Sequence, residues 1–73
     1  MRADTAYRYW EIAHIFIGEV EFWEWEDGMD AELRGMYDLD DVVEYDIALK
    51  KFHNVVVDQV ESEEDVIKIY FVR

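Results

Sequence analysis

The stretch Glu19-Val20-Glu21-Phe22-Trp23-Glu24-Trp25-Glu26-Asp27-Gly28 decides the architecture. Charged and apolar side chains alternate along it, the period of a strand with one wet face. It ends on Asp-Gly, a dipeptide suited to the positive-φ positions of a tight hairpin turn. The spacing predicts a hairpin, with one strand near Glu19–Glu26 and the other near Met29–Met36. A turn at Asp27-Gly28 would set Phe22 opposite Leu33 and Glu21 opposite Arg34, an apolar pair and an opposite-charge pair. Strict alternation breaks between Phe22 and Trp23. A β-bulge there would return Val20, Phe22, Trp23 and Trp25 to one face; without it, Trp23 and Trp25 lie opposite Val20 and Phe22.

Beyond the hairpin, Asp38 to His53 reads as a helix. Asp38 is a suitable N-cap, Asp40 and Asp41 fall in the first turn, and Lys50 and Lys51 in the last. Val42, Tyr45, Leu49 and Phe52, with Ala48 beside them, form an apolar stripe at helical spacing. Val43 and Ile47 lie off that stripe and either widen the core or meet a partner. Val55–Val60 and Val66–Val72 predict a second hairpin, with Ile67, Ile69 and Phe71 inward and Lys68 and Tyr70 outward. Thr5–Ile17 reads both ways. Asp4 and Gly18 would cap a helix, whereas the density of aromatic and β-branched residues favours a strand. The expectation is one α+β domain over residues 1–73, an antiparallel sheet of four or five strands with one or two helices packed on it.

Composition removes several chemistries. The chain has no cysteine, so disulfides and thiolate metal sites are excluded. His14 and His53 have no ligand neighbour at helical spacing, and Asp38-Leu39-Asp40-Asp41 lacks the glycine and late glutamate of a calcium loop. There is no phosphate-binding glycine loop, and Ser62 is the only serine, so neither a cofactor nor a serine nucleophile is expected. Carboxylate pairs are too many to single out an acid–base pair. A non-enzymatic role is the expectation. No apolar run near the N-terminus is long enough for a signal or a membrane span, which reads as a cytoplasmic protein.

Charge is the outstanding feature. Nineteen Asp and Glu against seven Lys and Arg give a formal net charge of −12. Direct binding to nucleic acid or an anionic membrane is disfavoured, because both require basic patches. The high aromatic content argues against disorder. Carboxylates at i and i+2 on a strand share a face at roughly 6.6 Å, so they can present regularly spaced charge to a cationic groove. On this reading the contact residues are Glu19, Glu21, Glu24, Glu26, Asp27, Asp30, Asp38, Asp40, Asp41 and Glu44, with Trp23 and Trp25 as anchors. Reversing Glu24, Glu26 and Asp27 to Lys is then expected to abolish function and spare the fold.

Glu-Val-Glu-Phe-Trp-Glu-Trp-Glu-Asp and Asp-Leu-Asp-Asp-Val-Val-Glu, in a short acidic chain without cysteine, resemble the virus-encoded inhibitors of host defence, among them anti-CRISPR proteins and other DNA mimics. The resemblance is one of overall character. It implies a stoichiometric inhibitor, in the host cytoplasm if virus-encoded, that blocks the nucleic-acid site of a basic protein such as a Cas effector. The rival reading is an acidic interaction module or homodimer subunit that uses an aromatic and aliphatic patch, its carboxylates serving only solubility. Adaptation to high salt would also explain the acidity.

Overall fold

The computed structural model describes residues 7–26 and 30–73. Its strands are β1 (Tyr7–Arg8), β2 (Glu19–Trp25), β3 (Ala31–Asp38), β4 (Val56–Glu63) and β5 (Val66–Val72). Helix α1 (Tyr9–Ile12) follows β1 and runs into a 3-10 turn at Ala13–Ile15, and α2 (Val42–Phe52) joins β3 to β4. The sheet order is β1-β4-β5-β2-β3, which with the helices is an α+β fold. Neighbours are antiparallel except β2 and β5, which are parallel. The expected antiparallel sheet is therefore mixed. The cause is that α2 carries the chain from edge strand β3 across one face to β4, so the second hairpin docks on the first through β5.

The core lies between that face and the helices. Val20, Phe22, Val57, Ile69 and Phe71 from the sheet meet Tyr9, Ala13, Ala48 and Phe52 from the helical segments. Phe22 is its centre: its ring stacks on Phe52 at 4.2 Å between centroids and takes the Tyr9 ring edge-on at 5.0 Å. Truncation of such a residue to alanine costs about 3–5 kcal/mol.

Thr5 and Ala6 lie outside the described residues, and among those described the segment is not the strand its composition favours: Tyr7–Arg8 pair with β4 and the chain then turns helical. Tyr9, Ala13 and Phe16 are the buried residues there, a spacing that one face of a helical turn supplies and an alternating strand does not. The Glu11 carboxylate accepts the Arg8 amide at 2.9 Å and fixes the helix start. Gly18 ends the segment at φ 76°, a left-handed conformation in which a side chain is strained.

Asp41, not Asp38, caps α2, accepting the amides of Val43 and Glu44. Leu39 is buried, so β3 continues through Asp38 and the chain dips into the core before the helix begins. On α2, Ala48 and Phe52 are buried, whereas Val42, expected in the stripe, is 83 % exposed beside exposed Val43 and Ile47. It is the first residue after the cap, before the helix has turned toward the sheet.

The first hairpin also differs in register. Phe22 faces Gly35, Glu21 faces Met36 and Trp23 faces Leu33, leaving Arg34 as the extra residue of a bulge. The irregularity falls between Phe22 and Trp23 but is carried by β3, so β2 alternates without a break. The Glu26 amide closes the loop on the Asp30 carbonyl at 2.8 Å, a wider closure than a two-residue turn; the turn residues Asp27 and Gly28 lie outside the described residues.

Candidate functional site

Uninterrupted alternation in β2 places Val20 and Phe22 in the core and Glu19, Glu21, Trp23 and Trp25 on the other face of the sheet. No described element covers that face. Strand register lays it out in rows across β4, β5 and β2. One row is Glu63–Val66–Glu19, the next Glu61–Lys68–Glu21, the third Gln59–Tyr70–Trp23. On β3, Asp38, Met36 and Leu33 extend them. With strands about 4.8 Å apart and rows about 6.7 Å apart, carboxylates cluster at one end and rings at the other.

The aromatic end is ordered by its neighbours. Tyr70 lies between the indoles, 6.2 Å from Trp23 and 5.2 Å from Trp25 between centroids, both at 27°. Each indole N–H has a carboxylate acceptor at 3.0 Å: Glu21 for Trp23, and Asp58 for Trp25. Asp58 reaches it because a bulge in β4, between Val57 and Gln59, makes it the unpaired residue. Leu33 and Met36 beside them are exposed at 46 % and 58 %. Both tryptophans are half-buried, screening one another with Tyr70.

At the acidic end, Glu19, Glu21, Glu61, Glu63 and Asp38 surround one cation among the described residues, Lys68. Its ammonium lies 3.1 Å from Glu63 and 5.9 Å from the Trp23 ring centre. The hydrogen bond and charge of Glu63 hold its pKa above the usual lysine value.

The other expected contact residues lie elsewhere. Glu24 and Glu26 point to the helix side of the sheet, where Arg34 binds them at 2.9 and 2.7 Å and approaches Glu32 at 3.6 Å. Hydrogen bonding to Glu24 is the leading cause of a raised Arg34 pKa. A hydrogen bond with Glu32, together with its charge, raises that of Glu26. Asp30 lies in the hairpin loop, with its carbonyl bonded to Glu26, and Asp27 is outside the described residues. Asp40, Asp41 and Glu44 tie down the turn before α2, together with Asp38, which also borders the open face opposite Glu19. Asp38 accepts the Asp40 amide, Asp40 accepts the Gly18 amide at 3.2 Å, and Glu44 accepts the Asp38 amide at 3.0 Å. Asp58, Glu61, Glu63 and Tyr70 complete the open face, which sequence reasoning missed. Their signal was the outward set Lys68 and Tyr70; what it lacked was the parallel β2–β5 pairing that brings them beside Trp23.

A shallow hollow of about 320 Å³ at the end of α2 is lined by Lys50, Lys51, His53, Asn54, Val55 and Arg73. Lys50 pairs with Asp46, and Arg73 lies over Phe52 and Phe71. Cations in this place balance the negative end of the helix. Among the described residues no cluster of three or more histidine, aspartate or glutamate side chains could hold a metal ion, and no helix is long and apolar enough to cross a membrane. No family model matches the chain, and no curated protein or solved structure matches it either.

Proposed function

We propose that the chain is a non-enzymatic, stoichiometric inhibitor that occupies the nucleic-acid-binding surface of a basic protein, with its uncovered sheet face as the contact. The partner class is a host-defence protein such as a Cas effector, as the likeness in character to DNA mimics and anti-CRISPR proteins implies. One observation carries this reading: carboxylates from β2, β3 and β4 converge at one end of an open face whose other end is aromatic. A cationic cleft built for phosphates would find complementary charge there, and the rings supply desolvated contact area. The rival, an apolar docking module, would use the same face, so salt separates them. Screening length falls from about 10 Å at 0.1 M salt to about 3 Å at 1 M.

The test is capture of the partner from the source cell across that salt range, followed by competition. The captured protein is expected to bind DNA or RNA, to be displaced by it, and to dissociate as salt rises. A partner without a basic cleft, or binding indifferent to both salt and nucleic acid, removes the inhibitor reading and leaves the apolar module.

A further inference from the structure

We infer that the face contains a seat for a single arginine side chain of the partner, formed by Trp25, Tyr70 and Asp58. This rests on the proposed reading of a cationic protein partner and names where its cation lands. The same face already holds a worked example. Lys68 sits over the Trp23 ring while Glu63 takes its charge, so one indole is furnished with both a cation and a counter-ion. Trp25 has the same parts: Tyr70 stacked against it, and a carboxylate 3.0 Å from its ring nitrogen. No described cation lies over it; those of Lys51, Lys68 and Arg73 lie over Phe52, Trp23, and Phe52 with Phe71 respectively.

The chemistry favours guanidinium. A cation over an indole is drawn to the negative face of the ring. By accepting the indole N–H, Asp58 draws positive charge to the ring edge and enriches the face in electron density. It also keeps lone pairs for a second donor, since a carboxylate offers about four acceptor sites. Arginine is planar, stacks flat on rings and donates in a fork, so it can cover the indole face while bonding Asp58; lysine, as Lys68 shows, can reach both but only as a point donor with less ring contact. Nucleobases also stack on aromatic ladders, but their phosphates would lie against Glu19, Glu21 and Glu61 on the same face. A second copy of the chain would bring the same carboxylates opposite themselves. Charge selects a basic protein.

The probe is a peptide of alternating arginine and glycine, titrated against the full chain by tryptophan fluorescence, with lysine–glycine and single-stranded oligonucleotide controls. Saturable binding is expected, weaker by several-fold with lysine. Trp25→Leu should weaken it about tenfold, between the values for an exposed and a fully desolvated cation–ring contact, and Asp58→Asn should reduce the preference for arginine over lysine. Circular dichroism and urea unfolding identify any variant that has lost its fold, and Trp25→Phe, which keeps a ring, should lose only part of the affinity. If Trp25→Leu and Trp25→Phe bind as the parent does while Glu19, Glu21, Glu61 and Glu63 changed together to Gln abolish binding, the seat is wrong and the acidic reading stands. If the arginine peptide does not bind, or the oligonucleotide binds instead, both fall. A concentration-dependent dimer in sedimentation that Trp25→Leu dissolves would assign the face to a second copy.

Discussion

Tyr9→Phe should make the protein more stable. The Tyr9 ring is fully buried, packed edge-on against Phe22 and stacked with Phe16 at 6.4 Å, and its hydroxyl has no hydrogen-bond partner among the described residues. Phenylalanine keeps every ring contact and removes only the oxygen. An unsatisfied buried hydroxyl costs about 1–3 kcal/mol, so the variant should gain on the order of 1–2 kcal/mol. In a domain of this length each kcal/mol moves the melting temperature by roughly 4–8 °C. Burial, with the neighbouring Tyr45 second, holds the Tyr9 pKa above its usual value. At neutral pH the phenol is protonated folded and unfolded, so ionisation adds nothing there. Because the folded pKa is raised, the unfolded chain gives up the proton first, so the parent loses stability as pH rises from the unfolded value, about 10, through the folded one. Urea unfolding at pH 7, with an unchanged m-value, measures the gain; above about pH 10 the variant's advantage should widen. A loss of stability at pH 7 would mean that the hydroxyl is bonded and that the packing around Tyr9 is misassigned.

Gly18→Ala should cost about 1–2 kcal/mol by backbone strain alone, since nothing lies within 4 Å of the added carbon. Gly18→Asn should cost less in the same urea assay, and equal losses would show that φ is not the cause. Gly35→Ala acts differently: its Cβ would come 2.8 Å from the Tyr37 ring, so Tyr37→Ala in the same chain should relieve the penalty in a double-mutant cycle. Glu26 binds its proton more readily beside Glu32. That contribution is complete below the ordinary carboxylate range and is lost as pH rises through the raised value. Acidification from neutrality should therefore stabilise the parent relative to Glu32→Gln, and a pH-independent difference in urea midpoints would refute the pairing. Reversal of Glu24 and Glu26 to Lys should lower stability and leave binding at the open face intact, because both hold Arg34 on the helix side. An unchanged melting temperature would show that the network contributes nothing.

Where the chemistry is local, the sequence was informative. Alternation marked β2, β branching marked the second hairpin, and the i, i+3, i+7 recurrence marked α2. Its failures are the steps that require a second segment. The break between Phe22 and Trp23 suggested a bulge in β2, but β2 alternates without one and the extra residue is Arg34 of β3, which only the partner strand reveals. Asp38, Asp40 and Asp41 all have capping chemistry, and burial of Leu39 decides among them. Parallel pairing of β2 with β5 leaves no trace in either strand, and with it went the positions of Tyr70, Asp58, Glu61 and Glu63.

That missing pairing changes the functional question. In the linear chain, carboxylates and tryptophans alternate, and charge and ring compete as explanations. Folding sorts them differently: Glu24 and Glu26 join Arg34 on the helix side, while Glu19, Glu21, Trp23 and Trp25 share the open one. The negative field is thus not continuous around the hairpin. It has an open patch with an aromatic border and, behind it, a patch partly neutralised by Arg34 and Arg73. A partner drawn by net charge alone would not distinguish the two, since long-range steering acts on the whole molecule. A partner that reads geometry would. Neutralising Glu19 and Glu21 should slow association and flatten its salt dependence; removing the Trp25 ring should speed dissociation and leave the salt dependence as it was.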